Sequence, residues 1–343
     1  MTFSIVVQPS GRTFQADPDE PVLAAAIRHG IGLPYGCRDG ACGSCKCRLL
    51  EGRVLHGTHQ NKALSAAEEA AGMMLACCAV PQSDIVLEAR MVPGVGEFPV
   101  RKMPCRVISI QRPAADVAQL MLQLPANDVM KYHAGQYVEF ILRDGSRRSY
   151  SMANAPHTQA EKPAIELHLR HMPGGKFTDH VFGAMKEKEI LRIEGPLGSF
   201  FLREDSNKPI ILLASGTGFA PIKAIVEHIE FKGFKRPTTL YWGCRSRADL
   251  YLHDWALQAA QRLPQLRYVP VLSEPLASDA WSARTGLVHQ AVMQDWPDLS
   301  GHQVYACGAP VMVDAAQCDL VQRCGLPADE FFADSFTSEA DKH

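Results

Sequence analysis

The rhythm of hydrophobic and polar positions changes twice along the chain. Near the start Phe3, Ile5 and Val7 recur at every second position as in a half-buried strand, and residues 13–16 offer it a hairpin partner. Asp19, Glu20 and Pro21 then open a helix whose apolar face is Val22, Leu23, Ala26 and Ile27, with Gly30 as its stop. The second rhythm consists of short strand-like runs at 105–110, 117–124, 136–142, 165–170 and 190–194 separated by turn residues, a spacing that predicts an antiparallel barrel. From Pro209 on, apolar runs at 210–214, 238–242, 266–271 and 303–307 alternate with helical patterns at 221–231, 253–262, 288–295 and 311–324, before a last apolar run at Phe331. That order predicts a doubly wound parallel sheet with helices on both faces and ligands beyond the carboxyl ends of its strands.

These three regimes read as a multidomain chain of α+β and α/β parts, divided at 1–92, 100–203 and 208–338. Residues 91–99 hold two prolines and two glycines without periodicity and read as a linker. A length of 343 residues suits two or three domains, and a net charge of −2 gives no general attraction to nucleic acid or to an anionic membrane. The longest apolar runs, such as 210–214, are strand-sized, and the first residues alternate without a basic start. With eleven cysteines in a clustered, unpaired distribution, this leads to the expectation of a cytoplasmic protein with no membrane segment.

Four of those cysteines change the picture most. Cys37, Cys42 and Cys45 fall within Pro34-Tyr-Gly-Cys-Arg-Asp-Gly-Ala-Cys-Gly-Ser-Cys, and Cys77 follows after a gap of 31 residues. Three clustered ligands and one remote one form the plant-type pattern for a 2Fe-2S cluster. Structural zinc, which also accepts four thiolates, usually shows two close pairs instead. Converging three thiolates from one loop requires tight curling, for which Gly36, Gly40 and Gly43 are the suited residue type. Cys77 is taken as the fourth ligand and Cys78 as the adjacent alternative, since alternation along a strand would turn one of the two away. Cys47 reads as a small buried hydrophobe. A second constellation, Leu213-Ala-Ser-Gly-Thr-Gly-Phe-Ala-Pro, follows an apolar strand and opens a helix. Gly216, Thr217 and Gly218 there can bring the backbone close to a dinucleotide pyrophosphate, while Pro221 suits the first helical turn.

Between these lie Arg148-x-Tyr150-Ser151, then His171-Met-Pro-Gly-Gly-Lys-Phe-Thr-Asp-His, then Gly195-Pro-Leu-Gly-Ser-Phe-Phe-Leu, and finally Cys307-Gly308-Ala309-Pro310. In this order they resemble the ferredoxin-NADP reductase superfamily. The resemblance implies a β-grasp 2Fe-2S ferredoxin domain, a flavin-binding barrel and a nicotinamide domain. It implies that Arg148 pairs with the FAD pyrophosphate, Tyr150 lies against the isoalloxazine and Ser151 hydrogen-bonds near flavin N5. It further implies that Gly174, Gly175, Lys176, Phe177 and Thr178 offer main-chain amides to the pyrophosphate, and that Cys307, with Gly308, lies beside the nicotinamide C4 and aligns hydride transfer. Asp249-Leu250, after the strand at 238–242, resembles the NADH-using branch, while Arg245 and Arg247 keep NADPH open as the alternative. The run from Phe331 resembles endings in which an aromatic approaches the flavin, although here the chain continues seven residues past Phe336.

The full arrangement resembles the one-chain reductases of multicomponent systems. By resemblance these pass electrons from NADH through FAD to the cluster and on to a protein acceptor, either a deoxysugar dehydratase or the oxygenase component of an aromatic or alkane oxygenase. A redox sensor carrying the same groups is the reading from another class.

Overall fold

The computed structural model describes residues 2–127, 129–160 and 162–337. They form two compact units, one holding residues 2–101 with Pro196–Ser199 and 335–337, the other the described residues of Lys102–Gly195 with Phe200–Asp334.

In the first unit a five-stranded sheet runs in the order Arg12–Ala16, Phe3–Gln8, Ile85–Glu88, Lys46–Glu51, Met73–Leu75. The first hairpin pairs Phe3 with Ala16, and the parallel neighbour pairs Ile5 with Ile85. Alternation in Phe3–Gln8 buries Ile5 and Val7, and the helix Val22–Arg28 buries Val22, Leu23, Ala25 and Ala26. The helix has no side-chain cap; Glu20 instead binds the Arg28 guanidinium at 2.6 Å and accepts from the Asp17 amide at 2.9 Å, bracing both ends. Gly30, with φ +66°, ends it as the sequence suggests.

The second unit holds two sheets. The antiparallel one has the order Arg147–Ser151, Tyr137–Ile141, Ile190–Leu197, Arg101–Ala114, Val117–Gln123, Ala164–Arg170. An antiparallel bridge between Met152 and Leu167 joins its two outer strands and closes the barrel around Val107, Leu120, Leu122, Phe140, Leu167 and Ile193. The other sheet runs Arg284–Thr285, Leu266–Leu272, Thr238–Cys244, Ile210–Ser215, Gln303–Gly308, Phe331–Ser335. Its four central strands are parallel, with Leu212 opposite both Leu240 and Tyr305. Strand order reverses between Ile210–Ser215 and Gln303–Gly308, since the chain first builds outward on one side of Ile210–Ser215 and then crosses to the other. In such sheets the crevice at the carboxyl ends of those two strands is where a ligand binds.

Candidate functional site

The loop after Leu33 is shaped by backbone rather than by packing. Gly40 and Gly43 both take φ +78° and Arg38 takes +67°, the left-handed region that curls the loop. Gly36 is not among these residues; a Cβ there would lie 3.3 Å from Cys42 Sγ, so its role is close approach to a ligand. The Cys37 amide donates to Cys42 Sγ at 3.4 Å. Among the described residues no three His, Cys, Asp or Glu side chains converge on a single ion. The thiols stand as two hydrogen-bonded pairs, Cys37 with Cys42 and Cys45 with Cys77, which fits a binuclear core with four cysteine ligands. Hydrogen bonding to Cys37 brings the Cys42 thiol down to about 7, and hydrogen bonds from Cys45, Cys78 and the Gly40 amide bring Cys77 down to about 4. Both shifts favour the thiolate, the form that ligates metal, while the donating partners Cys37 and Cys45 are pushed well up by the same hydrogen bonds and by burial. Cys77 and Cys78 lie in a turn between Met73–Leu75 and Ala79–Pro81, not within a strand, so alternation does not separate them and their sulfurs are 3.5 Å apart. It is the pairing with Cys45 that distinguishes Cys77. Cys47 is buried on Lys46–Glu51 with its thiol pushed up to about 12 by burial.

In the barrel, Arg148, Tyr150 and Ser151 lie on Arg147–Ser151, where period-two geometry puts Arg148 and Tyr150 on one side and Ser151 on the other. The Arg148 guanidinium donates to its neighbour's carbonyl, Arg147 O, at 2.7 Å. The Tyr150 ring packs against Phe177 at 5.5 Å and Phe140 at 5.9 Å, so it meets the start of the helix Lys176–Gly183. Gly174, φ +82°, turns the chain into that helix and faces open space. Two of the five expected amides are already engaged, Gly174 N with Asp179 Oδ2 at 3.0 Å and Gly175 N with Met172 O at 2.8 Å. The first-turn amides of Lys176, Phe177 and Thr178 have no intrahelical partner by helix geometry and can receive an anion. Lys176 Nζ pairs with Asp144 at 2.6 Å, tying the helix to the turn before Arg147–Ser151. These residues fit the pyrophosphate and ring of a flavin dinucleotide.

At the switch point, Gly216–Gly218 forms a single 3-10 turn between Ile210–Ser215 and the helix Phe219–Lys232, with Thr217 and Pro221 buried. A Cβ on Gly218 would collide with the Cys307 carbonyl and lie 2.7 Å from Gly308 Cα, so glycine is required for the turn to rest on the neighbouring strand end. Ser215 Oγ accepts from the Ala309 amide at 3.0 Å, and the Trp242 indole donates to Gly216 O at 3.0 Å. The close approach leaves a glycine-lined ledge that suits a dinucleotide.

Ser151 and Cys307, 156 positions apart in sequence, meet at a residue that the motifs did not indicate. Ser151 Oγ donates to Asp334 Oδ2 at 3.1 Å, and Cys307 Sγ lies 3.8 Å from the same oxygen. All three are buried, Cys307 completely. Burial pushes the Asp334 carboxyl up to about 6 and the Cys307 thiol well above its usual range. The signal available for Asp334 was an acid set inside the apolar run Phe331-Phe-Ala-Asp. Cys244 gives its thiol to Asp249 O, Cys318 is exposed and Cys324 is buried; none of them joins this site.

Paired thiols, a closed barrel with an anion-ready helix start and a switch-point turn against a buried thiol define an iron-sulfur flavoprotein oxidoreductase. The family profiles agree: residues 5–82 match a 2Fe-2S iron-sulfur cluster binding domain, 104–202 an oxidoreductase FAD-binding domain and 212–318 an oxidoreductase NAD-binding domain. The chain is 41% identical over 336 residues to the CDP-6-deoxy-L-threo-D-glycero-4-hexulose-3-dehydrase reductase of Yersinia pseudotuberculosis, covering 98% of this chain and 99% of that one. It is 35% identical over 346 residues to terephthalate 1,2-dioxygenase reductase component 1 of Comamonas, covering 100% of both. The crystal structure of Amycolatopsis cytochrome P450 reductase GcoB superposes with a TM-score of 0.82 at 33% identity, covering 98% of this chain and 99% of that one. The chain belongs to the family of NAD(P)H-dependent iron-sulfur flavoprotein reductases, with 2Fe-2S, FAD and NAD as its cofactors. Among the described residues no helix is long and apolar enough to cross a membrane.

Proposed function

We propose that this reductase takes its electrons from NADH, works in the cytoplasm and delivers them one at a time to a deoxysugar dehydratase, as a CDP-6-deoxy-3,4-glucoseen reductase would. The observation that carries the hydride half of this reading is the convergence of Ser151 and Cys307 on Asp334, which joins the end of a barrel strand to the end of a nicotinamide-sheet strand. The acceptor half rests on the Yersinia relative, whose similarity spans both chains. The full-length likeness to the terephthalate dioxygenase reductase supports an oxygenase component as the second reading.

Bound FAD supplies the conversion of a two-electron hydride into single electrons, and the cluster supplies a one-electron relay. The protein's own residues bind, orient and keep the site dry. Arg148 and the amides of Lys176–Thr178 hold the pyrophosphate, as charge-assisted bonds at a helix N-terminus do. Tyr150, braced by Phe140 and Phe177, presents a flat ring to the isoalloxazine. The Gly216–Gly218 turn receives the nicotinamide dinucleotide, and Cys307, a neutral thiol with no exposed surface, packs beneath the strand end on which that turn rests and so sets its position. Asp334 fixes the Ser151 hydroxyl through the bond that hydroxyl donates, leaving its lone pairs and orientation defined beside the flavin. The preference for NADH rests on the resemblance of Asp249-Leu250, after Thr238–Cys244, to the NADH-using branch, and the Asp249 carboxylate itself caps its own turn through the Ser246 amide and hydroxyl at 2.9 and 3.0 Å.

Steady-state assays of the purified holoenzyme with NADH and NADPH, using cytochrome c, a CDP-deoxysugar dehydratase and an oxygenase component as acceptors, test each part. The reading fails if the dehydratase is reduced no faster than an unrelated 2Fe-2S protein, or if NADPH is the better donor.

A further inference from the structure

A charged cluster is buried in the second unit, away from the groups assigned above. Lys223 lies on the helix Phe219–Lys232, five residues past Gly218, with its side chain 7% exposed. Its ammonium meets three acceptors from three segments: Ala153 O at 3.0 Å, Glu166 Oε2 at 3.0 Å and Glu227 Oε1 at 2.7 Å. Those are all the protons it has. The partners are themselves committed. Glu227 Oε2 accepts from the Ala155 amide at 2.9 Å, and the Glu166 amide donates to Asn154 Oδ1 at 2.8 Å. Glu166 Oε1 binds His168 at 2.7 Å, and His168 reaches the Tyr251 hydroxyl at 2.8 Å. Residues 153–155 are thus held at a carbonyl, a side chain and an amide, beginning two positions after Ser151.

Stability does not account for this arrangement. Removing an ammonium and two carboxylates from water costs several kcal/mol per ion, and well-packed apolar replacements for such clusters are often neutral or stabilising. Directional bonds do supply something that apolar contacts do not, which is a unique rotation and slide of one surface against another. Here the surfaces are the helix that begins at the nicotinamide turn and the barrel strand end that carries Ser151. Resting on the hydride-transfer reading above, we infer that Lys223, with Glu166 and Glu227, is a positioning cluster that sets the register between the Gly216–Gly218 turn and Ser151. Geometry errors of about 1 Å in a near-attack arrangement cost about a hundredfold in rate, so a cluster that fixes register acts on the rate of hydride transfer and little on the affinity for NADH.

The test uses the FAD-loaded, full-length K223M/E166Q/E227Q variant, which removes all three charges while the glutamine oxygens can still accept from Ala155 and His168. Stopped-flow reduction of bound FAD is followed against NADH concentration, and amide hydrogen exchange is measured over 152–155 and 219–224. The expected result is a limiting rate about tenfold lower, an NADH dissociation constant within about twofold of the parent and faster exchange in both segments. A limiting rate within twofold of the parent overturns the inference, and so does a loss confined to NADH affinity. If the triple variant fails to retain FAD, E227A replaces it. That change cuts the bonds to Lys223 and Ala155 at a more accessible position and is read by the same criteria. Parent enzyme whose FAD is not reduced by NADH would refute the hydride reading itself, an outcome distinct from equal rates in parent and variant.

Discussion

The thiols of the 34–45 loop with Cys77 and the thiol of Cys307 are the same chemical group in opposite surroundings. Around Cys42 and Cys77, hydrogen bonds from neighbouring thiols and main-chain amides favour the charged sulfur. Around Cys307 there is no exposed surface, and the neighbouring acid Asp334 disfavours a thiolate further. The first environment suits Cys42 and Cys77 as thiolates, and the second keeps Cys307 a neutral, inert thiol. Neighbouring thiols that donate to the sulfur thus separate Cys42 and Cys77 from Cys307, where burial dominates.

Breaking the ligand side should have the largest effect. Cys77→Ser removes the partner of Cys45 and should abolish the cluster, seen as loss of iron and acid-labile sulfide. Cytochrome c reduction should disappear while NADH-ferricyanide activity, which needs only flavin and nicotinamide sites, stays largely intact. Full cluster content in the serine variant would transfer the ligand role to Cys78, whose sulfur is 3.5 Å away. The nicotinamide side is more sharply probed through backbone. In Gly218→Ala the added methyl cannot coexist with the Cys307 carbonyl, so the turn must move off the strand end. NADH binding should weaken by about a hundredfold, roughly 3 kcal/mol, with FAD retained. An unchanged dissociation constant by titration would show that the dinucleotide does not use this ledge.

The two sites also differed in how much of each could be read from residue order. A cluster needs its ligands at fixed short separations on one loop, so Cys37, Cys42 and Cys45 announce it, and the glycines between them announce the curl. The alternating barrel and parallel-sheet regimes were legible because burial imposes periods of two and 3.6. What escaped was whatever depended on contacts far apart in sequence. Arg147–Ser151 pairs as a strand although its polar run carries no alternation, because Tyr137–Ile141 supplies its hydrogen bonds. Asp334 gains its meaning only when Phe331–Ser335 joins the sheet and brings the carboxylate to Ser151 and Cys307. No motif marks Lys223, and its surroundings become visible only through the three acceptors that distant segments bring to it.

Asp334 separates the two environments further through pH. Its folded value of about 6 lies above the unfolded 3.8, because burial penalises the carboxylate. As pH rises the unfolded chain releases the proton first, so the acid's stabilising contribution is complete below about pH 4 and is lost as pH passes through 6. The loss amounts to at most about 3 kcal/mol. Asp334→Asn should flatten this part of the profile. Calorimetric unfolding of both proteins between pH 4 and 7 checks it, and parallel slopes would mean that the native acid is solvated.

The smallest expected effect is at Cys307. Because the thiol is neutral and buried, Cys307→Ala removes no charge and breaks only a long contact of 3.8 Å to Asp334. What changes is the packing beneath the strand end that supports the Gly216–Gly218 turn, and a shift of that turn matters more in the transition state than in the ground state. Flavin reduction by NADH should slow about tenfold, equivalent to roughly 1.4 kcal/mol of barrier, while the NADH dissociation constant stays nearly unchanged. Stopped-flow measurements over a range of NADH concentrations separate the two quantities. If the limiting rate of the alanine variant equals that of the parent, Cys307 is a packed strand-end thiol. Alignment would then fall to Ser151, whose hydroxyl Asp334 would still hold.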